Sequence, residues 1–180
     1  MSTNIGAIGS FRTRTFSDSI TRPSNTTAYT AGDVISEVTT NDHFTFGAAS
    51  DDGSKRVTRV GVNSGVINWA RLHSSANQST KLDCELLLFH ADIAEVADNA
   101  AFAPTDAELA TRVAVVDFPA SFWKEGDADS GADGNALCEA MNLDIPFRAL
   151  RHLYGQLVAR NGYTPISGEQ FVVELGITQD

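Results

Sequence analysis

Short runs of apolar residues alternate with turn residues along most of the chain, and this spacing is typical of an all-β protein. The segment 81–90 shows the pattern clearly. Leu82, Cys84, Leu86 and Leu88 share one face of the predicted strand, while charged residues take the other face in its first half. The second half is apolar on both faces, which indicates a strand that becomes covered on both sides.

The same alternation predicts roughly eight or nine strands, bounded by turns of Gly, Asp, Asn and Pro. The candidate strands are 33–38, 43–46, 56–62, 65–72, 81–90, 112–118, 136–147, 153–160 and 170–178. In the fourth of these, Ile67 and Trp69 are predicted to share one face and Asn68 to take the other. Strands with one apolar face need a common core, so we expect two packed sheets.

One short helix is predicted at 104–109. Thr105 stands at the N-cap position and Glu108 follows three residues later, which is the pattern of a capping box. The fold class predicted from these elements is an all-β, jelly-roll-like antiparallel β-sandwich with one short helix and an extended N-terminal arm. A generic β-sandwich is the second choice of topology.

The first 30 residues differ in character from the rest. They are rich in Ser, Thr and Asn and carry Arg12, Arg14 and Arg22, with Phe11 and Phe16 among the few apolar residues. We predict an arm over residues 1–30, flexible alone or extended over a neighbour, and a β-sandwich domain over residues 31–180. The alternative is a frayed terminus without a role.

Composition and charge narrow the classes of partner. The chain has 180 residues and a formal net charge of -10, so it repels phosphate backbones and direct nucleic-acid binding is not expected. No apolar run approaches the roughly 20 residues of a membrane span, and the N-terminus does not resemble a signal peptide. We therefore expect synthesis in a cytoplasm, no export by that route and no membrane partner.

The cysteines and acidic loops do not form a recognisable metal site. Cys84 and Cys138 are far apart in sequence and are interpreted as two buried free thiols. Asp127, Asp129 and Asp133 lie in a Gly-rich loop that is similar to a calcium loop. An EF-hand needs Glu at the twelfth position, which is Cys138 here, so a solvated acidic loop is the preferred interpretation and no metal is predicted.

No catalytic motif is found. The sequence contains no GxSxG, GxGxxG or GxxxxGK[ST] pattern, and its histidines are scattered. His90 and Asp92 could form a base and its orienting carboxylate, but a surface hydrogen bond is the more common arrangement. Trp69 and Trp123 are interpreted as core or interface anchors and not as sugar-stacking platforms. We predict a protein that is not an enzyme and needs no cofactor.

The segment 118–123 contains three aromatic residues, a proline and small residues. Phe118, Phe122 and Trp123 are candidate anchors of a subunit contact, because aromatic residues beside a loop are common at interfaces. A loop folded over its own core is the alternative. Together with residues of the arm, these aromatics are the candidate partner-binding residues, which are Arg12, Arg14, Phe16, Arg22, Phe118, Phe122 and Trp123.

One segment resembles a known group of proteins. Residues 21–34, TRPSNTTAYTAGDV, resemble a phrase of the form "RP…TTAY.AGDV" in structural proteins of tailed bacteriophages. Further matching pieces follow in the same order at 66–67, 70–72, 86–90, 116–119, 153–155, 164–165, Gly168 and Phe171. The resemblance spans nearly everything from residue 21 onward, and its specificity comes from the order and spacing of the pieces.

The resemblance implies a capsid decoration or cement protein that sits on the capsid surface of a virion after synthesis in the bacterial host. Its partners would be the major capsid protein and other copies of itself, with a trimer favoured over a dimer. Other virion roles remain open, namely a tail, neck or head-fibre subunit. A β-sandwich carbohydrate-binding module or sugar hydrolase is a further alternative, as is a cellular β-protein unrelated to virions.

Overall fold

The computed structural model describes residues 12–38, 42–47, 64–125, 135–148 and 152–179. These residues form a mostly β structure of two antiparallel sheets packed as a sandwich, with one short α-helix. The elements are β1 (Arg12–Thr21), β2 (Val34–Ile35), β3 (Phe44–Phe46), β4 (Ser64–Ser74), β5 (Cys84–Phe89), α1 (Asp106–Leu109), β6 (Arg112–Phe118), a 3-10 helix (Ala120–Phe122), β7 (Lys124–Glu125), β8 (Ala136–Arg148), β9 (Leu153–Ala159) and β10 (Gln170–Gln179).

The first sheet has the strand order β1–β10–β4–β8–β7, and the second has the order β2–β9–β5–β6 with β3 also paired to β9. Neighbours in each sheet are antiparallel, and most of them are distant in sequence. The chain therefore crosses between the sheets repeatedly, and the strands of the two sheets are interleaved along the sequence. The predicted two-sheet sandwich is confirmed.

The core lies between the sheets and is built from the alternating positions of each strand. In β10, Phe171, Val173, Leu175 and Ile177 are fully buried, as their spacing in the sequence predicts. Facing strands of the second sheet contribute a matching set, which includes Ile35, Phe44, Phe46, Leu86, Leu88, Val116, Phe118 and Leu157. A smaller apolar cluster around Leu87, Phe89, Ile93 and Val158 covers the outer side of the second sheet.

Two local predictions are confirmed in detail. The Thr105 side chain accepts a bond from the Glu108 backbone amide, and the Glu108 carboxylate accepts one from the Thr105 amide, which completes the capping box of α1. Glu108 also accepts a bond from the Ala94 amide, so the helix fastens the loop after β5. Cys84 and Cys138 are free thiols, and both are buried.

Strand β1 departs from the sequence prediction. Residues 12–21 were predicted to lie in an arm that is flexible alone or extended over a neighbour, yet they pair with β10 along their whole length. Ile20 is buried and Phe16 packs against the core, so the few apolar residues of this segment cover the edge of the sandwich. Phe16 and Ile20 are four positions apart, an even spacing that places them on the same face of a strand, although only polar residues lie between them.

The other predicted strands agree with the structure to within a few residues, except the strand 56–62, which lies outside the described residues. The strand predicted at 33–38 is shorter, because only Val34 and Ile35 pair with β9. The two-residue strand β7 was not predicted. Its two residues follow the 3-10 helix and are too few to show an alternation of apolar and polar positions.

Candidate functional site

Arg22, a predicted contact residue, is buried inside the molecule. Its guanidinium pairs with Asp98 at 3.1 Å and donates to the hydroxyl of Tyr29. The Tyr29 hydroxyl in turn donates to Asp98 at 2.6 Å, and burial raises the pKa of Tyr29 well above its usual value. The Arg22 guanidinium also lies over the Tyr29 ring, 4.6 Å from its centroid. Arg22 therefore fastens the segment after β1 and is not available to a partner.

A second group of buried polar residues joins this cluster on its other side. Glu169 is fully buried, and its carboxylate accepts bonds from the hydroxyls of Ser74 (2.5 Å) and Tyr163 (2.7 Å) and from the Ile166 amide (3.2 Å). Removal from water raises the pKa of Glu169, although these donors and Arg22 oppose the rise. The two groups together hold the loops at one end of the sandwich.

The aromatic segment 118–123 divides between the core and the surface. Phe118 is fully buried at the end of β6, and the indole Nε1 of Trp123 donates to the Leu82 carbonyl at 2.6 Å. Phe122, in the 3-10 helix, has 55% of its surface exposed. Of the three predicted anchors, only Phe122 is therefore presented to solvent, because the other two fill the space beneath the loop.

The outer surface of the first sheet carries a second aromatic feature, centred on Trp69. The pairing of β4 shifts between Ile67 and Trp69, which is the signature of a β-bulge. Ile67 and Ala70 are fully buried, whereas Trp69 is only partly buried, so the prediction that Ile67 and Trp69 share a face is wrong. Relative to β10, the bulge at Asn68 adds one residue to β4 and reverses the direction of Trp69.

Gly176 of β10 makes room for the Trp69 ring. A Cβ atom at this position would lie 2.0 Å from the ring, so the indole rests directly above the glycine backbone. The guanidinium of Arg71 lies over the same ring, 4.8 Å from its centroid. The indole is thus held between the sheet and a cation, an arrangement with about 0.5–2 kcal/mol of cation–π attraction.

Charged side chains surround Trp69 on the same surface. Arg71 Nε donates to Glu139 at 2.8 Å, and the imidazole Nε2 of His73 lies 3.4 Å from the Glu174 carboxylate. Arg71 Nη1 is 4.0 Å from the same Glu174, so β8, β4 and β10 are linked by one set of ionic contacts. All four side chains remain between 29 and 41% exposed, so solvent screening limits their contribution to stability.

Met141 completes this surface with 53% of its area exposed opposite Trp69 on β8. We call the surface formed by Trp69, Arg71, His73, Glu139, Met141 and Glu174 the Trp69 face. Trp, Arg and Met are enriched at protein interfaces, and the ion pairs hold Arg71 in one orientation. Sequence reasoning missed this surface, since the bulge is needed to turn Trp69 outward.

The sequence analysis considered Asp92 as a partner of His90, but the structure places Asp92 beside His43. Asp92 lies 3.2 Å from Nε2 of the buried His43, and Asp42 lies 3.6 Å from the other ring nitrogen. His43 also meets the Tyr154 ring edge-on, with centroids 5.6 Å apart. His90 is exposed. The contact of Asp92 therefore ties β3 to the loop after β5.

A shallow cleft of about 250 Å³ lies at the end of the sandwich where two loops meet. Its lining residues are Gln78, Ser79, Thr80, Gly162, Thr164 and Pro165. These groups offer hydroxyls and an amide but no charged or aromatic side chain, so the cleft supplies no general acid, base or stacking surface.

Within the described ranges, no three His, Cys, Asp or Glu side chains are grouped so that they could hold a metal ion. The predicted calcium candidates Asp127, Asp129 and Asp133 lie outside those ranges. The helices in the described part of the chain are all too short or too polar to cross a membrane. Comparison of the sequence with protein-family models and with curated proteins finds no match.

Proposed function

We propose that the chain is a structural protein of a tailed-phage virion, which binds the outside of the capsid and cements or decorates junctions between major capsid subunits. It acts without catalysis or a cofactor, and it reaches the capsid surface after synthesis in the host cytoplasm. The observation that carries this proposal is the Trp69 face, a broad sheet surface whose side chains are those of a protein interface. The resemblance of residues 21–34 to phage head proteins directs the proposal to a capsid.

The strand order supports the same class of protein. If the short β3 and β7 are set aside, eight strands remain, and the first pairs with the last, the second with the seventh, the third with the sixth and the fourth with the fifth. We propose that this is a jelly roll, a folded long hairpin that recurs in viral capsid domains. The fold alone does not assign function, so it serves only as support.

The state of Trp69 favours a protein partner over a sugar. A sugar-binding platform needs an aromatic ring with an open face, but the indole rests above Gly176 and beneath the Arg71 guanidinium. Met141 projects beside it and would contribute apolar contact area in a protein interface. Phe122 lies at the same sheet margin, since its 3-10 helix leads into β7 next to β8.

The test is co-sedimentation with capsids of the encoding phage assembled without this protein, followed by heating of bare and loaded shells. We expect saturable binding and a higher disruption temperature. Met141→Glu and Phe122→Glu place a charge in the contact and should each weaken binding at least about tenfold, as hot-spot substitutions commonly do. Leu109→Glu is the matched control, because Leu109 is 40% exposed on α1 away from the Trp69 face.

Wild-type binding that Met141→Glu and Phe122→Glu leave unchanged would reject the Trp69 face as the contact. Absence of binding to capsids would reject the capsid role, and the protein would then be sought in purified tails and necks of the same phage. Binding to host polysaccharide by the folded protein would instead support the carbohydrate-binding alternative.

A further inference from the structure

Among the residues that the structure describes, strand β1 is a long open edge of the first sheet. It pairs with β10 over all ten residues without a register shift, and no other strand of the described ranges pairs with its far side. At the opposite margin the two-residue β7 covers only one end of β8. The rest of β8 is interrupted by the bulge facing Asn68, by positive φ angles at Asn142 and Asp144, and by Pro146. Natural sheets use bulges and prolines to prevent pairing at an edge, and β1 has neither. It does carry the charged residues Arg14 and Asp18 on its core-facing side, which oppose pairing unless the partner strand neutralises them.

The backbone groups that face this open edge can be identified from two hydrogen bonds. The Arg22 amide donates to the Glu169 carbonyl on the β10 side, and the Val38 amide donates to the Thr21 carbonyl from the other side. Groups alternate in direction along an antiparallel strand, so the even residues face β10 and the odd residues face outward. The outward residues of the open stretch are Thr13, Thr15, Ser17 and Ser19.

We propose that β1 pairs antiparallel with β1 of a second copy of the chain, around a two-fold axis at Phe16. The pairing would join the first sheets of the two copies into one continuous sheet. In this register Thr15 lies opposite Ser17 of the second copy, and Thr13 lies opposite Ser19. These are the outward-facing residues, so they form the hydrogen-bonded pairs of the new ladder.

Charge complementarity selects a second copy as the occupant of this edge. In the same register Arg14 lies opposite Asp18 of the second copy, and symmetry repeats the pair on the other side of the axis. Opposite charges at directly facing positions stabilise antiparallel strands, and non-hydrogen-bonded pairs bring side chains closest. Arg14 is exposed, and Asp18 is held in place by the Thr45 amide (2.6 Å). Asp18 also accepts a bond from the Ser19 amide (2.8 Å), and pairing would exchange this bond for one from Arg14 of the second copy while the Ser19 amide joins the new ladder.

Phe16 lies on the axis, so the two rings would meet at the centre of the contact. The ring is half-buried against its own core, and pairing would cover its remaining exposed part. The register is internally consistent, because every facing pair has both side chains on the same side of the sheet. This inference concerns contacts between copies of the chain and does not depend on the capsid proposal.

A disulfide experiment tests the register directly. Thr13→Cys and Ser19→Cys replace exposed residues that would lie opposite each other at about 5.5 Å between Cα atoms, within disulfide range. Mixing the two variants under mild oxidation should produce cross-linked dimers. Either variant alone should not cross-link, since the same cysteine in the second copy would be roughly 20 Å away. The native thiols of Cys84 and Cys138 are buried and add little background.

A charge experiment tests the affinity. Arg14→Glu would place like charges opposite each other in both symmetry-related pairs of positions 14 and 18. We therefore expect the dissociation constant of the dimer, measured by sedimentation, to rise at least about tenfold. Arg112→Glu is the matched control, because it makes the same charge change at an exposed position on β6. Thermal unfolding at low concentration checks that both variants fold.

Three results would overturn the proposal. They are a monomer at every concentration tested, a dimer that gives no disulfide in the mixed sample, or a dimer that Arg14→Glu and Arg112→Glu weaken equally.

Discussion

Gly176 controls the Trp69 face at the scale of one residue, since the absence of a Cβ lets the indole lie against the sheet. Its φ angle is not in the left-handed region that favours glycine, so its role is close approach and not backbone freedom. Trp69 in turn supports Arg71, whose orientation is completed by Glu139. A side chain at position 176 would therefore displace Trp69 and, through it, disturb Arg71 and Glu139.

Gly176→Ala is predicted to displace the Trp69 ring and to lower the free energy of unfolding by about 1–3 kcal/mol, as overpacking does. Urea unfolding measures the loss, and a change in tryptophan emission reports the moved ring. Gly162→Ala is the control, because a Cβ there meets nothing within 4 Å. Equal stabilities of the two variants would contradict this account of Gly176.

At the scale of elements, the segment after β1 is joined to the start of β10 by buried polar contacts. The Arg22 amide bonds the Glu169 carbonyl, and the Glu169 carboxylate receives Ser74 and Tyr163. These contacts align β1 with β10 from one end, since Thr21 faces Gln170 at the beginning of their ladder. The end of β1 is therefore positioned next to Glu169, whose carboxylate is removed from water.

The raised pKa of Glu169 has a defined effect on stability. A carboxyl whose folded pKa lies above its unfolded value stabilises the fold below the unfolded pKa, and this contribution is lost as pH rises through the folded pKa. We expect the free energy of unfolding of the wild type, relative to Glu169→Gln, to fall as pH rises above the ordinary pKa of a glutamate side chain, about 4.3.

Denaturant unfolding at several pH values measures this difference. Glu174→Gln, which removes a carboxylate from the partly exposed Trp69 face, is the control for the loss of one charge. A difference in the free energy of unfolding between wild type and Glu169→Gln that stays constant with pH would contradict a raised pKa of Glu169.

At the scale of the whole molecule, the two sheets share one core and should unfold together. Cys84 and Cys138 report on this core because both side chains lie in it. Burial raises the pKa of the Cys138 thiol to about 11 and that of Cys84 well above its usual value, so both are protonated at neutral pH.

We predict that both thiols resist a thiol reagent in the native protein and react together as denaturant unfolds it. Reagent uptake is compared with loss of tryptophan fluorescence across the same titration. Fast reaction of either thiol before the fluorescence transition would show that one sheet opens alone, which would contradict a shared core.

Local patterns in the sequence were sufficient for much of the fold. Period-two alternation located β5 and β10, because a strand that buries one face must show it in its own residues. The capping box of α1 and the buried thiols followed from equally local rules. Of the predicted contact residues, Arg14 and Phe122 are exposed, while Arg22, Phe118 and Trp123 are engaged inside the molecule.

What the sequence determined by itself was therefore the presence of most strands, most of their inward residues and the choice of a sandwich, since each depends on neighbouring residues. Only the tertiary structure decided that β1 is an edge strand, because its partner β10 is more than 140 residues away. It also decided that Trp69 faces outward, since a single extra residue at Asn68, relative to β10, reverses the side chains that follow. Arg22 is buried for the same reason, because Asp98 and Glu169 reach it only in the folded chain.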